Sequence, residues 1–461
     1  MKLSEEVLRQ GRAIIASRLG LDFSEVRRQD LERGLARALR TARTSEAEGL
    51  LAWLGLLPAS DPEWRRLAAH LTVGETYFFR DRACFEALES QVLPGLIASR
   101  RGDGIRRLRL WSAACATGEE PYSLAILVDR LLPDRADWVV TILATDINGS
   151  ALEAARRGLY REWALRETPP AIRQRYFHER GEGVFELDAA IRRMVTFAPL
   201  NLAGDGYPTL VTNTTAVDLI LCRNVLMYFT RDAKRATAER LRGALAPGGW
   251  LAVSPAEASA DLFRPLLPVN LGASLYRNQP GGSVGPQPRA AAPVVLPAAG
   301  LGPISFEATA ATAPLPSTPV SGPEEAPRAP DRGDDLARGR ALADRGQLEQ
   351  ARALCESALA RDSLDPEAPL LLAAICQEQG ETAAAMEALR RALYLAPDSP
   401  PAHFLMGSLL FQQGERRRAR RAMETVVGLL GSVDRDEVLA GSDGLTAGRL
   451  LETAQGYLDS R

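Results

Sequence analysis

Leu108-Arg109-Leu110-Trp111-Ser112-Ala113-Ala114-Cys115-Ala116-Thr117-Gly118-Glu119-Glu120-Pro121-Tyr122-Ser123-Leu124-Ala125-Ile126 is the stretch on which the fold turns. Its left part, Leu108 to Ser112, is a short apolar run with one arginine, Arg109, and has the look of a buried strand. Its right part, Pro121 to Asp129, carries Leu124, Ala125, Leu127 and Val128 and suits a helix with Pro121 near its first turn. Between them lies a turn of small residues followed by two carboxylates. Strand, tight turn and helix N-terminus form the nucleotide cradle of a doubly wound sheet. Carboxylates repel a pyrophosphate but accept hydrogen bonds from a ribose or attract a cation, so a nucleoside lacking phosphates, such as S-adenosylmethionine, suits this cradle. A plain strand–turn–helix with a solvated Glu pair accounts for the same residues equally well.

Alternation of strands and helices continues outward from this point. Val139 to Leu143 ends in Ala144-Thr145-Asp146-Ile147, where an acid would meet ribose hydroxyls or cap the turn at Asn148. Val195 to Leu202, Val217 to Cys222 and Trp250 to Val253 read as further strands, and Arg231 to Leu245 as a helix stopped by Ala246-Pro247-Gly248-Gly249. An irregular segment within about 175–197 reads as a small antiparallel insertion. The implied fold class is α/β: a doubly wound, Rossmann-like sheet with that insertion, preceded by a helical domain and followed by an all-α solenoid.

Residues 1–72 read as helices. One, about Ser24 to Ala42, places Val26, Leu31, Leu35 and Leu39 on one side and Arg33, Arg37 and Arg40 on the other. That stripe is either a solvated face or a docking surface for an acidic helix. In Glu75-Thr76-Tyr77-Phe78-Phe79-Arg80, the paired aromatics either line a pocket, with Arg80 on a carboxylate, or pack in the core.

Residues 281–331, rich in Pro, Ala and Gly, read as a disordered linker. A repeat follows: Gly346, Gly380 and Gly414 are 34 residues apart, and Ala351, Ala385, Ala419 and Pro366, Pro400 keep the same period. That period marks tetratricopeptide repeats, three of them over 332–433. A helical tail over 434–461 completes the domain plan, in which 73–280 is the sheet domain.

With 461 residues, the chain needs several cores. A formal charge of -2 gives no bulk attraction to nucleic acid. Five scattered cysteines argue for reduced thiols in a cytoplasmic setting, against disulfides and against a metal site. No uncharged run is free of proline for long enough to insert in a membrane.

Residues 1 to about 280 resemble the chemotaxis receptor methyltransferases, the CheR family. The resemblance rests on Glu75-Thr76-Tyr77-Phe78-Phe79-Arg80, Trp111 to Ser123, Ala144-Thr145-Asp146-Ile147, Asn201-Leu202 and Cys222 to Phe229, in the family's order. It implies an S-adenosylmethionine-dependent protein-glutamate O-methyltransferase that forms methyl esters on chemoreceptor methylation helices and releases S-adenosylhomocysteine. Carried over by position, it assigns cofactor contacts to Thr76, Arg80, Glu119, Asp146, Asn201, Leu202, Arg223 and Asn224, and receptor docking to Arg33, Arg37 and Arg40. Arg223 and Tyr228 are candidates to orient the incoming carboxylate, with strand-end packing the plainer role for Tyr228. The sequence departs from the family at Gly74, where Asn is usual, and at Ser254-Pro255-Ala256. The short insertion implies independence from a receptor tail tether. Attached repeats are similar to those of Wsp-like or Frz-like chemosensory systems, and imply a protein partner or a contact with the chain's own catalytic domain. Two other readings compete: a repeat scaffold that binds S-adenosylmethionine or its product without catalysis, and a methyltransferase for a small molecule.

Overall fold

A computed structural model describes residues 3–40, 46–57, 61–72, 74–279, 332–442 and 444–459. The expected linker, 281–331, and Thr41-Ala42 lie outside the described residues.

Four helices open the chain. Ser4 caps α1 (Glu5–Leu19) by accepting the Val7 N–H, and Gly20, at φ 71°, ends it. Then come α2 (Arg28–Leu39), α3 (Ala47–Leu56) and α4 (Pro62–Leu71), the last capped by Asp61. Leu31 and Leu35 are buried as their spacing requires. Val26 is not: it is 94% exposed, because the 3-10 turn Glu25–Arg27 before α2 shifts it off the apolar side.

Two helices, α5 (Arg82–Ala87) and α6 (Leu93–Gly102), lead into the sheet domain. It begins β1 (Arg107–Ala113), α7 (Glu119–Leu131), β2 (Val139–Asp146), α8 (Gly149–Arg157). A three-stranded antiparallel sheet of β3 (Leu159–Arg161), β4 (Phe177–Gly181) and β5 (Val184–Leu187) follows, with α9 (Pro170–Tyr176) after β3 and α10 (Ala189–Arg192) after β5. This insertion starts ahead of residue 175 because Leu159–Arg161 pairs with Val184–Glu186. The main sheet resumes as β6 (Val195–Pro199), β7 (Val217–Cys222), α11 (Arg231–Ala244), β8 (Leu245–Ala252), β9 (Leu267–Asn270) and β10 (Ser274–Arg277). Its order is β6-β2-β1-β7-β8-β10-β9, parallel from β6 to β8 and antiparallel beyond. Every residue of β1 and β7 is buried, as strands covered on both faces must be. The strand order reverses between β1 and β7, which places a ligand crevice beyond their carboxyl ends. The Ala246-to-Gly249 segment, expected as a turn, belongs to β8. The register against β7 slips there, and a β-carbon on Gly249 would lie 2.8 Å from the Val217 carbonyl.

The repeats form three helix pairs: α12 (Arg332–Asp344) with α13 (Leu348–Arg361), α14 (Glu367–Glu378) with α15 (Thr382–Leu395), and α16 (Pro400–Gln412) with α17 (Arg416–Leu430). The 34-residue period acquires a cause: Gly346, Gly380 and Gly414, at φ 75°, 76° and 78°, make the turn inside each pair. Ala351, Ala385 and Ala419 are buried where helices cross. A final helix, α18 (Ala447–Asp459), packs on α17. Tyr457 presents its ring to Phe404 and Phe411 of α16, at centroid distances of 5.8 and 5.2 Å. No described helix is long and apolar enough to cross a membrane.

Candidate functional site

A cleft opens beyond the carboxyl ends of β1 and β2. Ala114, Ala116, Asp146, Ile147 and Asn148 form its floor. Leu200, Asn201 and Leu202 after β6 and Asn224, Val225 and Tyr228 after β7 form its sides. The helical domain supplies the remaining wall through Leu19, Leu21, Arg27, Leu71 and Thr72.

Asp146 is the best-anchored polar group in it. Its oxygens accept the Ala116 and Asn148 N–H groups, each at 2.8 Å. Ala114 and Ala116 hold left-handed backbone, φ 64° and 47°, in the turn that aims the Ala116 amide at the carboxylate. Burial pushes the Asp146 carboxyl up, and the amides of Asn148 and Ala116 oppose that shift. With one amide on each oxygen, lone pairs remain for a ligand hydroxyl. Asn148, not Asp146, caps α8, accepting from Ala151. Asn201 braces its own loop, accepting the Ala203 N–H at 3.0 Å and donating to the Arg18 carbonyl at 3.3 Å.

Asn224 sits at φ 57° because Glu257 holds its loop. The Glu257 carboxylate accepts the N–H of Asn224 and Val225 at 2.7 Å each and of Met227 at 3.3 Å. Ser254 and Glu257 make a reciprocal capping box across Ser254-Pro255-Ala256, so that departure from the family pattern is a built local motif. Arg27 stacks between Phe23 and Tyr228, its guanidinium carbon 4.6 and 4.8 Å from the ring centroids.

Asp146, Asn201, Leu202, Asn224 and Tyr228 therefore meet in one cleft, whereas Thr76, Arg80, Glu119 and Arg223 are not among its lining residues. The reason is visible in their partners. Arg223 is buried and engaged by Glu120 at 3.0 Å, Asp81 at 3.2 Å and the Arg80 carbonyl at 2.7 Å. It ties the carboxyl end of β7 to the α7 N-terminus. Arg80 folds back on the Glu75 carbonyl at 2.7 Å. Glu119 accepts from the Thr117 hydroxyl at 2.7 Å, and burial raises its carboxyl to about 7. Phe78 and Phe79 do not line the pocket. Phe78 packs edge-on to Tyr160 and Phe177, each at 4.8 Å, and Phe79 against Phe85 at 5.5 Å.

The residues that sequence reasoning passed over are Leu19, Leu21, Arg27, Leu71, Thr72 and the anchor Glu257. Only Glu257 carried a signal, the Ser-x-x-Glu spacing of a capping box. Gly74 lines the cleft, and a β-carbon there would meet nothing within 4 Å, so the missing Asn leaves that wall open.

This cleft is mainly apolar, carries a pre-oriented acid and has Arg27 as its one lining cation among the described residues. Such a set fits a nucleoside better than a polyphosphate. A fold of this order with this crevice defines a nucleotide-binding architecture of the doubly wound class. Residues 74–263 match the family described as "CheR methyltransferase, SAM binding domain", and 342–399 and 377–428 match the tetratricopeptide repeat. The chain is 31% identical to the probable biofilm formation methyltransferase WspC of Pseudomonas aeruginosa, over 89% of this chain and 96% of that protein. WspC of Pseudomonas putida is also 31% identical, over 89% and 95%. Chemotaxis protein methyltransferase 1 of Pseudomonas aeruginosa is 42% identical over 42% of this chain and 69% of that protein. The chain belongs to the CheR methyltransferase family, in its form with C-terminal tetratricopeptide repeats, and its cofactor is S-adenosylmethionine.

Proposed function

We propose that this methyltransferase esterifies glutamate side chains on the cytoplasmic methylation helices of chemoreceptors. The observation that carries the reading is an exposed arginine stripe on α2, with Arg37 tied beside the cleft wall. Arg33, Arg37 and Arg40 are exposed, and Arg37 donates to the His70 carbonyl at 2.7 Å, next to Leu71 and Thr72 of the cleft wall. An acidic helix lying on that stripe would bring its carboxylates to the cleft mouth. Arg33 also pairs with Asp30 at 2.6 Å, which leaves Arg40 and Arg37 as the stronger attractors.

The chemistry asks little of titratable groups. When bound, S-adenosylmethionine supplies an electrophilic methyl on sulfur. A glutamate with pKa of about 4.3 is already an anion at neutral pH and needs no general base. The chain's own part is to bind and to align. Asp146 would hold ribose hydroxyls, Asn201 and Leu202 an adenine edge and face, and Asn224 the amino-acid end. Tyr228, on the cleft wall, would steer the acceptor. For the repeats, we propose a contact with the chain's own sheet domain. Glu378 of α14 supports it, lying 3.3 Å from Arg109 of β1 and 3.9 Å from Arg107.

The test is transfer of labelled methyl from S-adenosylmethionine to purified receptor cytoplasmic fragments, followed by release of the label in mild base. Label that resists base, or none despite cofactor binding, would rule out ester formation; the second result favours the non-catalytic scaffold.

A further inference from the structure

The loop Pro199–Gly206 is a thin wall with two sides. Leu200, Asn201 and Leu202 face the cofactor cleft. Pro199, Gly204 and Gly206 face a second hollow, closed by Arg449, Glu452 and Thr453 of α18 and by Arg65 of α4. Ile147, Leu200 and Asn201 border both.

The solenoid's end is fitted to this wall. Arg449 donates to Asp205 at 2.5 Å and to Glu452 at 3.2 Å. A β-carbon on Gly204 would lie 3.2 Å from an Arg449 guanidinium nitrogen, so the guanidinium rests on bare backbone. Arg65 donates to the Glu452 carbonyl at 3.1 Å, joining α18 to α4 as well. Gly456 sits so close to Pro199 that a β-carbon there would overlap the proline ring. Through Tyr457, Phe404 and Phe411, the same helix is fastened to α16.

We propose that α18 acts as the outer brace of the cofactor site, with Arg449 and Gly456 as positioning residues that hold Asn201 and Leu202 in binding register. The inference rests on the cofactor reading of the cleft. Donor affinity then depends on the solenoid being seated, and a ligand that shifts α16 to α18 changes that affinity from a distance.

Gly456→Ala separates seating from folding. Alanine favours a helix over glycine, so α18 itself gains while the contact with Pro199 is forced apart. In the full chain, calorimetric affinity for S-adenosylhomocysteine is expected to fall about tenfold. The KM for S-adenosylmethionine should rise alike, and kcat at saturating donor should stay within about twofold. Gly428→Ala, on α17 where a β-carbon meets nothing within 4 Å, is the matched control and should bind as wild type. Arg449→Gln should weaken binding, and Arg449→Lys should restore part of it. If Gly456→Ala does not fold, the Arg449 pair decides. Wild-type affinity in both Gly456→Ala and Arg449→Gln, or equal loss in Gly428→Ala, overturns the brace. Absence of heat in the wild-type chain overturns the cofactor reading itself.

Discussion

The carboxylate of Glu378, in the second repeat, lies 3.3 Å from the guanidinium of Arg109, in the first strand of the catalytic sheet, and both side chains are almost wholly buried. The Thr215 hydroxyl donates to the same carboxylate at 3.1 Å, and Gly380 meets Val139 beside it. Arg107 stands 3.9 Å from the second oxygen, while Asp218, which accepts the Arg109 N–H at 2.8 Å, also pairs with Arg100. Burial and the neighbouring Arg109 push the Arg107 guanidinium down. Glu378 is thus the carboxylate that the solenoid lends to a cationic strand.

Glu378→Ala leaves Arg107 and Arg109 buried beside one another, and removing one partner of a buried pair costs about 3–5 kcal/mol. We expect denaturant melts to show a loss of that size. Glu378→Gln, which keeps an acceptor for Thr215, should lose less. A change below about 1 kcal/mol in the alanine variant would mean that water reaches the pair.

Glu119 gives a pH signature. Burial holds its folded carboxyl at about 7 against an ordinary 4.5. Between those values the folded state binds the proton and the unfolded state does not, so this group's stabilisation is fully present below 4.5 and is lost as pH rises through 7. At about 1.4 kcal/mol per pKa unit, the swing is of the order of 3 kcal/mol. Relative to Glu119→Gln, wild type should therefore lose stability from pH 5 to pH 8. Parallel curves for the two proteins would show that the carboxyl titrates normally.

Glu257→Ala removes the acceptor shared by the Asn224, Val225 and Met227 amides. The left-handed Asn224 has little else to hold it, so the loop should relax and affinity for S-adenosylhomocysteine should fall by at least about tenfold. Glu257→Gln, with one acceptor oxygen left, should sit between. Titration calorimetry distinguishes the three, and equal affinities would deny the loop a part in binding.

Charge reversal at Arg33 and Arg40 tests receptor docking while sparing Arg37, which also holds the His70 carbonyl. Methylation at low salt is expected to drop several-fold, and the gap between variant and wild type to close as ionic strength rises. Cofactor affinity should not move. An unchanged low-salt rate removes α2 from the docking surface.

The repeats were legible because their cause is local: each glycine turn recurs with its small crossing residues at a fixed interval. The sheet was legible for a similar reason, since strands buried on both faces write apolar runs such as Leu219 to Cys222. The cleft was legible only in part. Asp146 and Asn201 sit at strand ends, where topology dictates a ligand. Leu19 and Leu71 are ordinary helix residues and Leu21 follows the stop of α1, and nothing in their neighbourhood tells that they cross over to roof the pocket. For Phe78-Phe79, the plainer of the two readings describes the packing: the density of aromatics comes from core contacts around Tyr160 and Phe85. Glu378 looks like any carboxylate near a helix end, because its partners lie in another domain.

At the roof of the cleft, Leu21 bridges Phe229, the Asp22 amide donates to the Tyr228 carbonyl at 2.7 Å, and the Thr230 amide donates to the Gly20 carbonyl at 2.8 Å. These bonds stitch the first helix to the strand-end loop by a stub of sheet that lies over the cleft. A ligand seated there fastens both edges at once, so the exchange rates of those two amides with solvent deuterium become a direct gauge of occupancy, slowing together when the donor or its spent form is added.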